Sequence, residues 1–288
     1  MNLLSINELT EQQVVEIFDL SRKLKHQDNT DVLKGKNFVL FFPESSLRTR
    51  ITFEKGIKDL GGETILFPPE SLDKREELED VIHYISNWAD GVIVRHADCT
   101  KVQELSRYAS IPIINAMTSE NHPCEILSDL FSISERNSNF KELVYTFIGS
   151  KSNISSSWKS IAELMNLKFN QVCFKGFELG PDTRNYKFHT ELEPILSVSD
   201  IVLTDSLSSD LKTENYINKY QITLERMKLA NRNAMLNPCP PFFRNEEVSS
   251  DAISSEYFVG YEFKKDLLFV QQAIILFCLG IKLERMIK

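Results

Sequence analysis

Strand-like and helix-like sequence meet in Phe41-Phe42-Pro43-Glu44-Ser45-Ser46-Leu47-Arg48-Thr49-Arg50. Residues 37–42 are largely apolar and predict a strand, and the apolar spacing of 51–60 predicts a helix that ends at the following glycine pair. A helix N-terminus presents N–H groups without intrahelical partners and a partial positive charge, so it attracts phosphate. Arg48 and Arg50 would add forked donors that suit phosphate oxygens. A serine-capped helix with surface arginines fits the same stretch, and these residues alone leave both interpretations open.

The composition indicates a soluble globular protein. Its 288 residues are 42% hydrophobic and 26% charged, and this length suits two domains of about 130–150 residues each. The 33 basic and 41 acidic residues give a net charge of −8, which argues against nucleic-acid and acidic-membrane partners. We expect no signal peptide, and the longest apolar run, at 267–280, is too short to span a bilayer.

The cysteines and histidines predict neither disulfides nor a metal site. The five cysteines are widely spaced without a CxxC pair, and the five histidines show no close metal-ligand spacing. Reduced thiols are typical of proteins inside the cell, so we expect a cytoplasmic location.

Short apolar runs alternate with helical patterns along the whole chain, which predicts an α/β fold with two doubly wound parallel sheets. Strands are predicted at 37–42, 64–67, 91–95, 112–116, 144–149, 171–176, 201–205, 234–237 and 257–260. The polar stretch 132–140 predicts the boundary between a first domain at 1–133 and a second at 141–266. A final helix at 267–288 is expected to pack back onto the first domain. Ligands of such sheets bind beyond the C-terminal strand ends, so we expect the active site in the cleft between the domains.

Polar residues follow the third and fourth predicted strands, where such a ligand would bind. Arg95 ends one strand, and Asn121-His122-Pro123-Cys124-Glu125 follows the next. A lone arginine or histidine at such a position is more often structural, but these occur together with the Ser-x-Arg-Thr-Arg spacing of 46–50. The combination resembles the aspartate/ornithine carbamoyltransferase family, whose carbamoyl-phosphate loop has this spacing and whose His-Pro-x-Gln motif precedes the next helix. Glu125 stands where that family has glutamine.

The second half of the chain continues the resemblance. Asn153 falls on the family's amino-acid-binding asparagine, and Asp205 on the aspartate that holds the ammonium groups of ornithine, although the Ser-Met-Gly that should follow is missing. Cys239 and Arg244 fall on the family's cysteine and active-site arginine, and Pro238 replaces its histidine. Judged without the family, Asn153 fits a loop turn and Cys239 an inert core position.

A charged segment at 71–80 resembles the loop of the aspartate branch whose lysine reaches into the site of a neighbouring subunit. Lys74 is the matching lysine, although Arg75 replaces a glycine. The resemblance therefore implies a homotrimer with shared sites, whereas the charges alone fit a surface helix start. The residues at 41–50 and the His-Pro-Cys at 122–124 resemble the ornithine and N-acylornithine branch more closely than the aspartate branch.

The resemblance implies a carbamoyltransferase that moves the carbamoyl group of carbamoyl phosphate to a primary amine of an ornithine-like or N-acylornithine-like amino acid. Phosphate would be released, no cofactor would be needed, and the reaction would belong to amino-acid biosynthesis and arginine metabolism. Carbamoyl phosphate would be bound by Ser46, Leu47 through its backbone, Arg48, Thr49, Lys74, Arg95, His122, Glu125 and Arg244. The acceptor would be bound by Asn153, Asp205 and Cys239. The catalytic groups would be Arg48, Thr49, Arg95, His122, Cys239 and Arg244.

Three other functions were weighed against this one. A Rossmann dehydrogenase would carry Gly-x-Gly-x-x-Gly, which residues 148–153 lack. An aspartate-type carbamoyltransferase would bind a second carboxylate, which Asp205 would repel. A non-catalytic paralogue that binds carbamoyl phosphate or an amino acid is suggested by Glu125, Pro238 and the missing Ser-Met-Gly.

Glu125 is the sharpest departure from the family pattern. An ionised carboxylate a few ångströms from a dianion costs roughly 2–4 kcal/mol per unit of charge at an effective dielectric of about 20. We expect the protein to raise the pKa of Glu125, to pair it with His122, or to bind the donor weakly. Alternatively, Glu125 contacts a cationic acceptor amine or a different carbamoyl donor. On this basis Glu125→Gln is expected to tighten carbamoyl-phosphate binding and to reduce its pH dependence between about pH 5 and 8.

Overall fold

The computed structural model describes residues 1–26 and 31–283, and the chain divides into two α/β units. The first unit comprises Met1–Ser132 together with the chain from Lys264 onward, and the second comprises Ile133–Phe263. Each unit contains one sheet in which every strand pairing is parallel, so the predicted fold class is confirmed.

The sheet of the first unit has four strands in the order β2-β1-β3-β4. The strands are β1 (Asn37–Phe41), β2 (Glu63–Phe67), β3 (Gly91–Arg95) and β4 (Ile113–Met117). The helices are α1 (Glu11–His26), α2 (Leu47–Asp59), α3 (Leu78–Ile85), α4 (Cys99–Tyr108), most of α5 (Pro123–Arg136), and α11 (Gly260–Leu279) from Lys264 onward.

The two central strands of this sheet, β1 and β3, are almost wholly buried. Their residues are mostly apolar, as expected for parallel strands with both faces covered. Strand β4 lies at one edge and is also mostly buried, and an isolated bridge joins Ile114 to Leu3. Strand β2, at the other edge, alternates between exposed and half-buried residues. The C-terminal ends of β1, β3 and β4 lead into the polar loops.

The sheet of the second unit has five strands in the order β7-β6-β5-β8-β9. The strands are β5 (Val144–Ile148), β6 (Lys168–Val172), β7 (Tyr186–His189), β8 (Ile201–Thr204) and β9 (Met235–Pro238). The helices are α6 (Asn153–Met165), α7 (Glu193–Leu196), α8 (Glu214–Tyr220), α9 (Leu224–Met227) and α10 (Ser250–Ile253). Trp158 of α6 is fully buried against the ring of Tyr145 on β5, with 5.7 Å between the ring centroids.

Three of the predicted elements differ from the structure in the second half of the chain. Strand β6 starts three residues before the predicted strand at 171–176, and β7 was not predicted because Tyr186–His189 mixes polar and apolar residues. The predicted strand at 257–260 is wrong, since only an isolated bridge joins Phe258 to Leu236. Helix α11 spans Gly260–Leu279 rather than 267–288. It begins earlier because its first turns are polar and fall outside the apolar pattern, and it ends before residues 280–283. The last five predicted positions of that helix lie outside the described residues.

The stretch predicted as a polar boundary is partly helical. Helix α5 continues through it to Arg136, and a short 3-10 helix follows at Phe140–Glu142. Ser132 is buried there and donates a hydrogen bond to Oδ2 of Asp266 at 2.9 Å, so polar composition at this point reflects a buried contact. The predicted domain limits of 133 and 141 stay a prediction.

Candidate active site

The C-terminal ends of β1, β3 and β4 lie side by side at one edge of the first sheet. Phe41 is in register with Val94, and Val94 with Asn115. The loops that follow these strands therefore converge, as the ligand edge of a parallel sheet requires. They carry the predicted residues Ser46, Leu47, Arg48, Thr49, Arg95 and His122.

The turn from β1 into α2 holds Ser46 against Arg95. Nη1 of Arg95 donates to Oγ of Ser46 at 3.1 Å, across 49 residues of sequence. Within the described part of the chain, the Ser46 side chain makes no capping hydrogen bond to α2. The first N–H groups of a helix have no intrahelical partner, so this N-terminus can accept an anion. The Leu47 N–H, which we assigned to phosphate, donates to the Ser45 carbonyl at 3.0 Å in this turn.

The residues of the first turn of α2 differ in their environment. Thr49 is buried, whereas Arg48 is exposed and free to turn towards a ligand. Arg50 points elsewhere: its Nε donates to Glu54 at 2.6 Å in a surface pair one turn further along the helix. The suggestion that Arg50 adds donors to the phosphate site is therefore not supported by its contacts.

Glu125 lies in the first turn of α5 and is 4% exposed. Its Oε1 contacts Nζ of Lys264, the same ammonium that lies 2.7 Å from Oδ1 of Asp129 one turn further on. Burial alone would raise the pKa of Glu125, but Lys264, His122 and Arg48 together lower it below the ordinary value. The expectation of a raised pKa is therefore wrong, and the hydrogen-bonded partner of Glu125 is Lys264.

Lys264 is a functional candidate that the sequence did not reveal. It precedes an apolar helix and is followed by another lysine, a pattern typical of a solvated helix start. Only the packing of α11 beside α5 brings it to a residue 139 positions earlier in the chain. An acidic residue such as Glu125 suggests that a basic partner exists, but the chain has 33 basic residues, so the sequence could not single out Lys264.

His122 is 5% exposed, immediately before α5. Burial lowers its pKa from 6.5 to about 4, with the positive charges of Arg95 and Lys264 acting in the same direction and the charge of Glu125 opposing them. The imidazole is therefore neutral at pH 7. A neutral imidazole carries one N–H donor, which suits a carbonyl oxygen better than a proton-transfer role at this pH.

A cavity of about 310 Å³ lies over the ends of these strands, between the loops after β1, β2, β3 and β4. Its lining includes Pro43, Arg95 and Thr118. Asp73, in the loop after β2, also lines it and is held by Nζ of Lys101 at 2.5 Å and by Nε2 of His96 at 3.0 Å.

The contacts of Asp73 anchor the loop that carries Lys74. The hydrogen bond from Lys101 and those of His96 hold the pKa of Asp73 below its ordinary value. Nδ1 of His96 accepts the Asp98 N–H at 3.0 Å, so a neutral His96 has its proton on Nε2 and donates it to Asp73. Lys74 itself is exposed, between the 3-10 helix Pro69–Leu72 and α3.

The predicted acceptor residues meet at one edge of the second sheet. Ile148 is in register with Thr204, and Thr204 with Pro238, so the loops after β5, β8 and β9 are neighbours. These loops carry Asn153, Asp205 and Cys239 respectively. Arg244 lies further along the last loop, exposed, with Nη1 donating to the Ser250 carbonyl at 3.3 Å.

Each acceptor residue is held by a local feature of the fold. A capping box starts α6, in which Ser152 and Ser155 exchange side-chain to backbone hydrogen bonds, so Asn153 occupies a defined first position. Oδ1 of Asp205 accepts the Ser206 N–H at 2.8 Å. Cys239 is buried and its N–H donates to the Thr204 carbonyl at 2.8 Å.

Glu247 is a second residue that the sequence analysis missed. It is 2% exposed, and Oε1 accepts the Phe243 N–H at 2.6 Å. Burial raises the pKa of Glu247 to about 7, with the nearby charges of Glu246 and Asp205 acting in the same direction and the hydrogen bond from the Phe243 N–H opposing them. A carboxyl group that titrates near neutrality therefore lies close to the proposed acceptor residues.

Two family models match almost the whole chain. The carbamoyl-phosphate-binding domain of aspartate/ornithine carbamoyltransferases matches residues 1–135, and the Asp/Orn-binding domain matches residues 141–278. The chain belongs to the aspartate/ornithine carbamoyltransferase family. The resemblance read from the motifs is thus confirmed, and with it the assignment to a family of transferases.

Relatives of this carbamoyltransferase chain extend over its full length. The ornithine carbamoyltransferase of Carboxydothermus hydrogenoformans is 28% identical over 305 residues, 97% of each chain. That of Caldicellulosiruptor saccharolyticus is 29% identical over 304 residues, 97% of this chain and 99% of the relative. The solved structure of ornithine carbamoyltransferase from Burkholderia thailandensis superposes with a TM-score of 0.89 at 25% identity, covering 98% of this chain and 99% of the other.

In the described residues, no group of three or more histidine, cysteine or acidic side chains is arranged to hold a metal ion. No helix within 1–26 or 31–283 has the length and apolar content to cross a membrane.

Proposed function

We propose that this chain transfers the carbamoyl group of carbamoyl phosphate to the primary amine of an ornithine-like amino acid and releases phosphate. The observation that carries the proposal is the Arg95–Ser46 hydrogen bond beside the open N-terminus of α2. It brings together hydrogen-bond donors for both parts of carbamoyl phosphate, its phosphate and its carbonyl group.

The donor would be bound by the first unit. The α2 N-terminus, Ser46, Arg48 and Thr49 surround the place where a phosphate dianion would be stabilised. Negative charge builds on the carbonyl oxygen as the amine attacks, and fixed donors that already point there lower the barrier. Arg95 and the neutral N–H of His122 are proposed to supply these donors.

The acceptor would be bound by the second unit. Asp205 would attract the cationic side of an ornithine-like substrate, Asn153 would bind its amino-acid end, and Cys239 and Arg244 would lie near the reacting carbon. The missing Ser-Met-Gly after β8 leaves N-acylornithines as the alternative acceptors. The acceptor ammonium must lose one proton to the solvent before it attacks. After the C–N bond forms and the bond from the carbonyl carbon to the phosphate oxygen breaks, the nitrogen loses a second proton, which the departing phosphate can accept. The proposed reaction therefore requires no metal and no organic cofactor.

A panel assay tests the proposal. Phosphate release from carbamoyl phosphate is measured with ornithine, N-acetylornithine, N-succinylornithine, diaminopropionate and aspartate. We expect turnover with ornithine or an acylornithine and none with aspartate. Arg95→Met is expected to lower kcat/KM by at least about 100-fold, as for the loss of one oxyanion donor. Arg50→Met is the matched control, because Arg50 forms a surface pair with Glu54.

Two results would contradict the proposed reaction. A preference for aspartate would overturn the role given to Asp205. Tight binding of carbamoyl phosphate without turnover on any amine would identify a non-catalytic binding protein instead.

We also propose that the protein is a cytoplasmic homotrimer that serves arginine metabolism, with Lys74 completing the site of a neighbouring subunit. The exposed apolar residues beside the donor site support an oligomer: Leu47 is 63%, Ile51 58% and Phe67 43% exposed. Analytical ultracentrifugation should give a trimer. Mixing inactive Lys74→Ala chains with inactive Arg48→Ala chains should restore part of the activity, and a fully active monomer would exclude shared sites.

A further inference from the structure

A buried ion cluster joins α5 to α11 next to the donor residues. The ammonium of Lys264 contacts Glu125 and Asp129, which are 4% and 2% exposed. The lysine side chain itself is only 15% exposed. Three charges are therefore held together out of water, with two carboxylates on one ammonium.

The helix that carries Lys264 is fixed to its neighbours by further buried contacts. Nε2 of Gln272 donates to the Gly56 carbonyl of α2 at 2.9 Å. Asp266 accepts hydrogen bonds from Ser132 at 2.9 Å and from Lys25 at 2.8 Å. The position of the ammonium relative to α2 and α5 is thus determined by the packing of α11, not by a flexible surface chain.

The charged and titratable groups that face Glu125 come from three elements. Lys264 approaches from α11, Arg48 from the first turn of α2, and His122 from the loop before α5. Arg95 from β3 acts on His122, and Asp129 shares the ammonium. Arg48 is also a proposed phosphate ligand, so the charge on Glu125 acts directly on the place where the dianion would bind.

We infer that Lys264 is a positioning residue of the donor site, which offsets the charge of Glu125 and fixes its carboxylate. The inference rests on the proposed function, since it takes carbamoyl phosphate as the ligand. Asp129 holds the lysine from its other side, so the cluster of three side chains carries one negative charge. Without the ammonium it would carry two.

Removal of the ammonium should make donor binding depend on pH. Without Lys264, an ionised Glu125 faces the phosphate, and two unit charges several ångströms apart at an effective dielectric of about 20 weaken binding by about 10- to 100-fold. Protonation of Glu125 at lower pH removes this repulsion. The variant should therefore bind more weakly than wild type at pH 8, and this difference should shrink towards pH 5.5. Each comparison is made with wild type at the same pH, because the phosphate ligand itself gains a proton over this range.

The test is calorimetric titration of the full-length protein with carbamoyl phosphate and, separately, with inorganic phosphate at pH 8 and pH 5.5. The variants are Lys264→Met, Lys264→Gln, Lys264→Arg and Glu125→Gln/Lys264→Met. Lys264→Gln keeps hydrogen bonding but removes the charge, so it serves if Lys264→Met does not fold. Lys25→Met is the matched control, because it removes a lysine that pairs with a different buried carboxylate of the same unit, Asp266.

We expect Lys264→Met and Lys264→Gln to bind about 10- to 100-fold more weakly than wild type at pH 8 and to recover most of this at pH 5.5. Lys264→Arg should bind more tightly than Lys264→Met at pH 8. The double variant should lose the pH-dependent difference from wild type that Lys264→Met shows. Lys25→Met should stay within about threefold of wild type. Equal affinity of wild type, Lys264→Met and Lys264→Gln at both pH values would overturn the inference alone, as would a loss that Glu125→Gln does not rescue. If wild-type protein binds neither ligand, the proposed function fails as well.

Discussion

His122 is expected to stay neutral throughout the physiological pH range, because burial lowers its pKa from 6.5 to about 4. That difference corresponds to roughly 3 kcal/mol between the two protonation states of a 5% exposed side chain. The folded protein binds the proton less readily than the unfolded chain does. The stability contributed by neutral His122 is therefore complete above pH 6.5 and is lost as the pH falls towards 4.

Nuclear magnetic resonance of protein labelled only in histidine measures this directly. The chain has five histidines, and the His122 signal is the one missing from His122→Gln. We expect that signal to stay constant from pH 8 to pH 5. Urea unfolding should show the same effect: between pH 7 and pH 4.5 wild type should lose about 2–3 kcal/mol more than His122→Gln.

The difference between wild type and variant is the informative quantity, because other buried groups titrate in the same range. His122 should therefore contribute no inflection near pH 6.5 to the pH profile of kcat/KM. Any inflection that wild type shows there should remain in His122→Gln. A His122 signal with a midpoint near 6.5 would refute the reasoning, since it would mean that the imidazole is solvated or paired with an anion.

Three further predictions concern other parts of the fold. Glu247→Gln should raise the free energy of unfolding in urea by roughly 2–3 kcal/mol at pH 8 and leave it unchanged at pH 4.5. The stability contributed by the protonated carboxyl of Glu247 is complete below pH 4.5 and is lost as the pH rises through about 7. Asp73→Asn should weaken the hydrogen bond from His96 and lower carbamoyl transfer several-fold at saturating ornithine, with an unchanged melting temperature because the side chain is 45% exposed. Gly62→Ala should lower the free energy of unfolding by about 1–3 kcal/mol, because its new Cβ would lie 2.8 Å from Cγ2 of Ile57; a neutral result in denaturant titration would show that this contact relaxes.

The local pattern was sufficient for four of the inner strands, β1, β3, β5 and β8. These are short, mostly apolar runs bounded by turn residues, and buried parallel strands of this kind can be recognised without knowing their partners. The start of α2 at Leu47 follows for the same reason, since helix periodicity begins where the strand ends.

Edge and boundary elements depended on contacts that the pattern does not encode. Strand β7 exists because its backbone pairs with β6, and its own residues are too polar to predict it. Residues 257–260 are apolar enough for a strand, but Val259 and Gly260 instead lead into α11. In each case the hydrogen-bonding partner, not the side chains, decides the conformation.

The candidate site shows the same division. The motifs at 46–50 and 121–125 were sufficient to locate the residues proposed to bind the donor at one edge of the first sheet, because a loop after a parallel strand reaches the ligand edge whatever its composition. The state of Glu125 was not accessible in this way. Its pKa is set by Lys264, 139 residues later, and by the burial of both side chains. The interaction between two charges depends on the distance between them in space. A carboxylate and an ammonium that are far apart in the chain therefore form an ion pair only when the two helices that carry them pack together.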